Sequence, residues 1–311
     1  MPRPSTKATT NNQFIVLFNP NVSRTKGNGE VPYPSFTETD YCYDRTKYLK
    51  SFSHNIYEPY LVDVISTYTS SGVEVIVILN VYHLDIVSRE AEKHRHYLLE
   101  YNGKNYSNLF KLFPTVDNYN AFRYLIPLRD IRFRVEKNSS FYFSLFNNIQ
   151  KRVYRNIKTC VMIPSAVQHS ITLCAYATPF NPVEELYNWI AYYQLQNVTK
   201  FIIYLGKEYP EMRNALKGYV AKGIVEFVDW SWPIAGVVWT KVPQREHQAS
   251  HTMSCFYRYR WITKYMIQCD LDEYIFSNMT RYNLEIPIEA AFAHWPKSHV
   301  LQVSTDYTCN L

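Results

Sequence analysis

Residues Lys264–Tyr274 read KYMIQCDLDEY, and they decide which fold this chain is expected to adopt. The first six residues form a mostly apolar run whose length predicts a buried β-strand. Asp270 and Asp272 follow that strand directly. Open α/β sheets bind ligands outside the carboxyl ends of their strands. These two aspartates are therefore expected at the ligand-binding edge of a sheet.

The residues before this stretch predict alternating strands and helices, the pattern of an α/β domain. Strands are expected at Ile171–Tyr176, Lys200–Gly206, Ile224–Val228 and Lys264–Cys269, with a last one at Val300–Thr305. Helices are expected from Asn181 onward, from Pro210 to Gly223, over Arg245–Ile262 and over Asn283–His294. We expect this domain to span residues 156–311.

The first helix has the clearest start signal. Asn181 suits the N-cap, Pro182 the first helical position and Glu184 the third. An apolar stripe at helical spacing follows, formed by Leu186, Ile190 and Tyr193.

The first half of the chain predicts a different organisation. Residues 1–40 are rich in Pro, Ser, Thr, Asn and Gly, which indicates a flexible lead-in with one strand at Gln13–Phe18. Residues 41–155 predict a β-rich domain with an antiparallel sheet, because β-branched runs there are separated by turn residues. Its expected strands are Tyr60–Ser66, Val73–Leu79, Tyr97–Tyr101, Ala121–Ile126, Arg132–Glu136 and Val153–Ile157.

Composition and charge exclude several classes of protein. The formal net charge is +6, its basic excess lies entirely within residues 1–155, and no arginine-rich run is present. Nucleic acid is therefore not an expected partner. Six cysteines without a CxxC pair argue against a structural zinc cluster. No apolar stretch reaches the ~18–20 residues of a membrane helix, so we expect a soluble chain, or a membrane-anchored protein without its anchor.

The Asp-x-Asp pattern suits a particular chemistry. A transferase that uses a nucleoside-diphosphate sugar must neutralise the charge building up on the departing diphosphate. A hard divalent cation held by carboxylates bridges both phosphates and acts as a Lewis acid. Asp270 and Asp272 fit such a site, although their spacing also suits two solvated aspartates on a turn.

Several motifs follow one another in the second half of the chain. They are an acidic helix start with a tryptophan (Glu184, Glu185, Trp189), an apolar strand (Phe201–Tyr204), a cysteine (Cys255) and the run Asp270–Tyr274. From about Lys158 to the C-terminus, this ordered set resembles glycosyltransferase family 92. The resemblance implies a GT-A-like fold, a divalent cation (usually Mn²⁺) and a nucleotide-sugar donor. It also implies inverting transfer of a hexose, with galactose favoured, to a glycan acceptor, in a protein anchored in Golgi or other secretory-pathway membranes.

The resemblance assigns roles to individual residues. Asp270 and Asp272 match the metal- and donor-binding aspartates, and Glu273 matches the acidic position after them. For Glu273 a direct contact and a supporting role both stay open. Glu184 also has a structural explanation as a helix-capping residue, and Trp189 is expected in the core.

Arg258 is a further candidate for the donor site. His247, His251, Cys255 and Arg258 have the spacing of a single helix face. Arg258 could contact the diphosphate from that face, although a solvated arginine is the ordinary interpretation. A zinc site there would need another ligand, and in the resemblance Cys255 is structural.

The catalytic residue is not assigned. The GT-A-like domain is expected to be incomplete at its C-terminus, where the resemblance would place the catalytic base, and Asp306 is a candidate for that base. Two other functions stay open. An aspartate-nucleophile phosphohydrolase also places Asp-x-Asp after a strand, but Tyr274 stands where such enzymes prefer Thr or Val. The second alternative is an inactive glycosyltransferase-like protein that binds carbohydrate or another partner through its β-rich half.

Overall fold

The computed structural model describes residues 60–80, 97–109, 119–136, 139–147, 152–164, 166–177, 181–206, 209–230, 245–277, 279–280 and 282–296. The strands expected at Gln13–Phe18 and Val300–Thr305 lie outside these ranges, as do Asp306 and the lead-in. No helix within the described ranges is both long and apolar enough to cross a membrane.

The first sheet is mostly antiparallel. Its strands are β1 (Tyr60–Thr69), β2 (Gly72–Asn80), β3 (Tyr97–Tyr101), β4 (Lys104–Ser107), β5 (Tyr119–Pro127), β6 (Ser140–Asn147) and β7 (Arg152–Met162). Their order across the sheet is β4-β3-β6-β7-β1-β2-β5. Neighbouring strands whose pairing is resolved run antiparallel, except β1 and β7, which are parallel.

β1 and β2 form a hairpin, and its geometry requires a glycine. Gly72 has a φ of +150°. A Cβ atom at this position would lie 2.1 Å from the carbonyl oxygen of Ile126 on β5. Any other residue would therefore force β2 and β5 apart where they pair.

One expected strand in this half of the chain is not formed, and another is longer than expected. Arg132–Glu136 is not a strand, although alternate side chains face inward, with Ile131, Phe133 and Val135 packed on the core. The alternation of apolar and polar residues therefore reflects burial of one face of this segment, which forms no backbone pairing with a neighbouring strand. In addition, β7 continues to Met162, so the first sheet extends beyond the predicted boundary after residue 155.

The second sheet is parallel and alternates with helices, as the sequence pattern predicts. Its strands are β8 (His169–Tyr176), β9 (Lys200–Leu205), β10 (Val225–Asp229) and β11 (Thr263–Gln268). The helices are α1 (Val183–Leu195), α2 (Pro210–Ala215), α3 (Lys217–Ala221), α4 (Arg245–Tyr259) and α5 (Glu285–His294). The strand order is β10-β9-β8-β11, and every neighbouring pair is parallel.

This strand order creates a switch point in the topology. From β8 the chain adds β9 and β10 on one side, and then crosses back to place β11 on the other side of β8. Ligands of open α/β sheets bind at the carboxyl ends of the strands at such a point. The crevice between the ends of β8 and β11 is therefore the position where this fold offers a ligand site.

Helix α1 begins one residue later than predicted. Pro182 is the N-cap, and its carbonyl accepts hydrogen bonds from the N–H groups of Glu185 and Leu186. The side-chain amide of Asn181 donates to the carboxylate of Glu185 at 3.3 Å instead of capping the helix. Glu184 lies in the first turn of the helix, as expected for an acidic residue at a helix start, but no side-chain cap hydrogen bond is formed at the N-cap. The predicted apolar stripe is buried, together with Trp189.

The two sheets share one layer of core. On one face, the parallel sheet packs against α1, α2 and α5. On the other face, side chains of β8, β9 and β11 form one cluster with α4 and with the inner face of β1 and β2. Helix α4 therefore lies between the two sheets, and its residues contact both.

Candidate active site

The Asp-x-Asp turn is positioned by alternation along β11. Tyr265, Ile267, Cys269 and Leu271 all point into the core beside α1. Leu271 is only 2% exposed, so its side chain holds the turn against the core. This alternation leaves Asp270 on the opposite face of the sheet, toward α4. Asp270 is partly buried, whereas the next carboxylate along the turn, that of Asp272, is exposed.

Glu273 closes the turn through two hydrogen bonds with Asp270. The N–H of Glu273 donates to the carbonyl of Asp270 at 3.1 Å. In return, the N–H of Asp270 donates to Oε2 of Glu273 at 2.9 Å. The other carboxylate oxygen, Oε1, is buried and has no hydrogen-bond partner among the described residues.

The environment of Glu273 favours its neutral form. The pKa of Glu273 is raised to about 7, chiefly by burial and to a smaller extent by the nearby charges of Asp270 and Asp272, while the hydrogen bond from the Asp270 N–H acts in the opposite direction. Three carboxylates thus lie within four consecutive residues, and the one that points inward resists ionisation.

Two tyrosines of α1 hold the segment after the turn. The hydroxyl of Tyr193 donates to the carbonyl of Glu273 at 3.2 Å and accepts from the N–H of Ile275 at 3.1 Å. The buried thiol of Cys269 also reaches this hydroxyl, with 3.7 Å between sulfur and oxygen. The hydroxyl of Tyr192 donates to the carbonyl of Ile275 at 2.6 Å. The Asp-x-Asp turn is therefore fastened to α1 on its inner side.

A partly buried polar contact lies on the other face of the same strand end, toward α4. The side-chain amide of Gln268 lies 2.7 Å from Nε2 of His251 on α4. The ring of His251 stacks on Tyr176, the last residue of β8, with 5.5 Å between centroids. Sequence reasoning did not single out Gln268, because a glutamine at a strand end carries no distinctive spacing.

Arg258 does not have the setting expected for a donor contact. It is 8% exposed, and its guanidinium pairs with the carboxylate of Asp63 on β1. A contact with diphosphate would require this buried ion pair to break, which leaves Asp63 uncompensated. We therefore leave Arg258 out of the donor site. The helix face on which it lies is polar, as predicted, but it is enclosed between the two sheets.

The zinc interpretation of the same helix face is also excluded. Cys255 forms a disulfide bond with Cys174 on β8, so its sulfur is not available as a thiolate ligand. Cys255 therefore has the structural role that the family resemblance implies. Among the described residues, no group of three His, Cys, Asp or Glu side chains is arranged to hold a metal ion.

The chemistry of the turn nevertheless fits a divalent cation shared with a substrate. Mg²⁺ and similar hard cations are commonly held by one or two carboxylates, with phosphate oxygens and water completing the shell. Asp270 and Asp272 supply two such carboxylates from one ordered turn.

One comparison with known proteins bears on this site. The model of glycosyltransferase family 92 matches residues 169–307, which begin with β8 and include the Asp-x-Asp turn. The match confirms the resemblance that the ordered motifs carry, and it supports a glycosyltransferase with a sugar donor and a glycan acceptor. Searches of curated proteins and of solved structures return no match.

Proposed function

We propose that this protein is a metal-dependent, inverting glycosyltransferase that transfers a hexose, with galactose favoured, from a nucleotide-sugar to a glycan acceptor. The observation that carries the proposal is the position of the Asp270–Glu273 turn. It follows β11 at the switch point of a parallel sheet, within the segment that matches glycosyltransferase family 92. A nucleotide diphosphate placed in that crevice lies beside both aspartates.

Asp270 and Asp272 are the proposed metal- and donor-binding residues. When bound there, Mn²⁺ or another divalent cation supplies positive charge that offsets the negative charge of the departing diphosphate. The exposed carboxylate of Asp272 is accessible from solvent without rearrangement of the core. The partly buried Asp270 is held by its backbone bonds to Glu273.

Glu273 has a supporting role in this proposal. Its carboxyl group fixes the backbone of Asp270, and its own carbonyl is bound by Tyr193. Residues that orient ligands in this way limit the freedom that must be lost when the metal and the donor bind. The fastening of the turn to α1 therefore supports a preformed donor site.

A transfer assay tests the proposal. The protein is incubated with Mn²⁺, UDP-galactose and a set of oligosaccharide acceptors, and released UDP and galactosylated product are measured. We expect acceptor-dependent release of UDP that is lost in the Asp270→Asn and Asp272→Asn variants. Glu289→Gln is the matched control, because Glu289 is a carboxylate on α5 that pairs with Lys264, near the start of β11 and away from the Asp-x-Asp turn.

The other possible results separate the alternatives. Binding of oligosaccharides without transfer or hydrolysis of any nucleotide-sugar would favour the inactive carbohydrate-binding protein. Trapping of an aspartyl-phosphate, an acyl phosphate, on Asp270 would favour a phosphohydrolase. Either result contradicts the proposed reaction.

A further inference from the structure

We propose that Asp63, in the first sheet, is a positioning residue for the donor site at Asp270, and that it acts through α4. This inference rests on the proposed function. Asp63 lies outside the segment that matches the glycosyltransferase family, so the family match gives it no role. Its role follows from a chain of buried contacts that crosses from one sheet to the other.

An irregularity in β1 turns Asp63 toward α4. The pairing of β1 with β2 shifts register between Leu61 and Asp63, which marks a β-bulge. Val62 packs in the same cluster as α4, and Asp63, the next residue, bonds to side chains of α4. Successive strand residues normally face opposite sides, so the bulge lets two neighbours face the same helix.

Asp63 is buried and fully engaged there. It is 2% exposed, and its carboxylate accepts from Nε of Arg258 at 3.0 Å and from Oγ of Ser254 at 2.5 Å. It also pairs with Nη2 of Arg258 and accepts from the N–H of Val64 at 2.8 Å. A buried carboxylate with this number of partners fixes the helix that carries them, because any displacement of the helix breaks several bonds in a desolvated site.

Ser254 extends the contact to the parallel sheet. Its hydroxyl lies 2.8 Å from the hydroxyl of Tyr204 on β9, while it also bonds to Asp63. One residue of α4 therefore bridges β1 of the first sheet and β9 of the second. Ser254 is fully buried, so water does not compete for either bond.

The same face of α4 reaches the end of β11. One turn before Cys255, His251 contacts the side chain of Gln268, which lies two residues before Asp270. Cys255 is bonded to Cys174, which pairs in register with Gln268 across β8 and β11. The position of α4 relative to the parallel sheet thus sets the surroundings of the strand end that carries the Asp-x-Asp turn.

The proposal is tested with two variants of the full chain, Asp63→Asn and Ser254→Ala. Ser254→Ala removes the hydroxyl that links Asp63 to Tyr204 but leaves the Asp63–Arg258 ion pair intact. If Asp63→Asn does not fold, Ser254→Ala therefore still tests the proposal. The matched control is Glu74→Gln. Glu74 is another buried carboxylate of the first sheet, but it pairs with Arg260, which follows α4, and with Arg123.

Two measurements are made on each variant. The first is calorimetric titration with UDP-galactose in the presence of Mn²⁺. The second is hydrogen–deuterium exchange of the peptide covering residues 263–273, which needs no ligand. We expect Asp63→Asn and Ser254→Ala to raise the Kd at least about tenfold, as loss of an orienting group does at metal sites, and to speed exchange in this peptide. Glu74→Gln is expected to lower Tm and change neither measurement.

The two measurements separate the inference from the function on which it rests. If wild-type protein binds no UDP-galactose, the proposed function fails, and exchange in residues 263–273 still decides whether Asp63 orders the strand end. If this peptide exchanges at the wild-type rate in folded Asp63→Asn and Ser254→Ala proteins, Asp63 is not a positioning residue, whether or not UDP-galactose binds.

Discussion

Oε2 of Glu273 accepts a hydrogen bond from the N–H of Asp270 at 2.9 Å, and the N–H of Glu273 donates to the carbonyl of Asp270 at 3.1 Å. These reciprocal bonds predict different outcomes for two substitutions. Glu273→Ala removes the acceptor and should lower the free energy of unfolding by about 1–2 kcal/mol. Glu273→Gln keeps an acceptor oxygen for the Asp270 N–H and should stay close to wild type.

Denaturant unfolding of both variants measures this difference. A Gln variant as unstable as the Ala variant would contradict the proposed hydrogen bond, because it would show that the charge of Glu273 matters and the acceptor does not.

Tyr193 should contribute through its hydroxyl as well as its ring. In Tyr193→Phe the ring stays in the core, but the N–H of Ile275 and the carbonyl of Glu273 lose their partner. We expect a loss of about 1–3 kcal/mol in unfolding free energy, the typical cost of leaving buried polar groups unsatisfied. The control is Tyr187→Phe on the same helix, where an exposed tyrosine donates to the carbonyl of Ala215. Equal effects of the two substitutions would contradict the role given to Tyr193.

The disulfide between Cys174 and Cys255 should stabilise the packing of α4 on the parallel sheet. It closes a loop with a sequence separation of 81 residues. The double variant Cys174→Ala/Cys255→Ala should therefore lose about 2–4 kcal/mol of stability. Peptide mapping of the non-reduced protein checks the bond directly. Recovery of both cysteines as free thiols from protein made in an oxidising compartment would contradict it.

Two possible glycosylation sites are accessible in the folded protein. Asn105 lies on β4 at the edge of the first sheet, and Asn197 follows α1. Both begin Asn-x-Ser/Thr acceptor sequences, and both are exposed. If the protein is made in the secretory pathway, N-glycosidase should reduce its mass, and Asn105→Gln and Asn197→Gln should each remove part of the shift. An unmodified protein from secretory expression would contradict this prediction.

Local pattern predicted much of the parallel sheet and its helices. The strand before Asp270 and the buried stripe of α1 follow from apolar residues spaced at the strand and helix periods, and these periods are properties of neighbouring residues. The position of the aspartates at a strand end was predictable for the same reason. A three-residue motif is too short to identify a family, and the family match over residues 169–307 supplied that identification.

The surroundings of α4 could not be predicted in this way. The spacing of His251, Cys255 and Arg258 placed them on one face of the helix, but it did not show what covers that face. The partner of Arg258 is Asp63, 195 residues earlier, and a β-bulge directs it there. The predicted strand at Arg132–Glu136 was wrong for a related reason. Alternation of apolar residues indicates that one face is buried, but a strand also needs a neighbouring strand to pair with, and that strand is distant in the sequence.

The central claim is that Asp270 and Asp272 hold a divalent cation together with a nucleotide-sugar. Calorimetric titration of UDP-galactose into the full chain, with Mn²⁺ and then with EDTA in place of the metal, tests it most directly. We predict binding by wild-type protein with Mn²⁺, loss of binding with EDTA, and loss of binding in Asp270→Asn/Asp272→Asn while Glu289→Gln binds normally. Binding that survives both EDTA and the double substitution would contradict the claim.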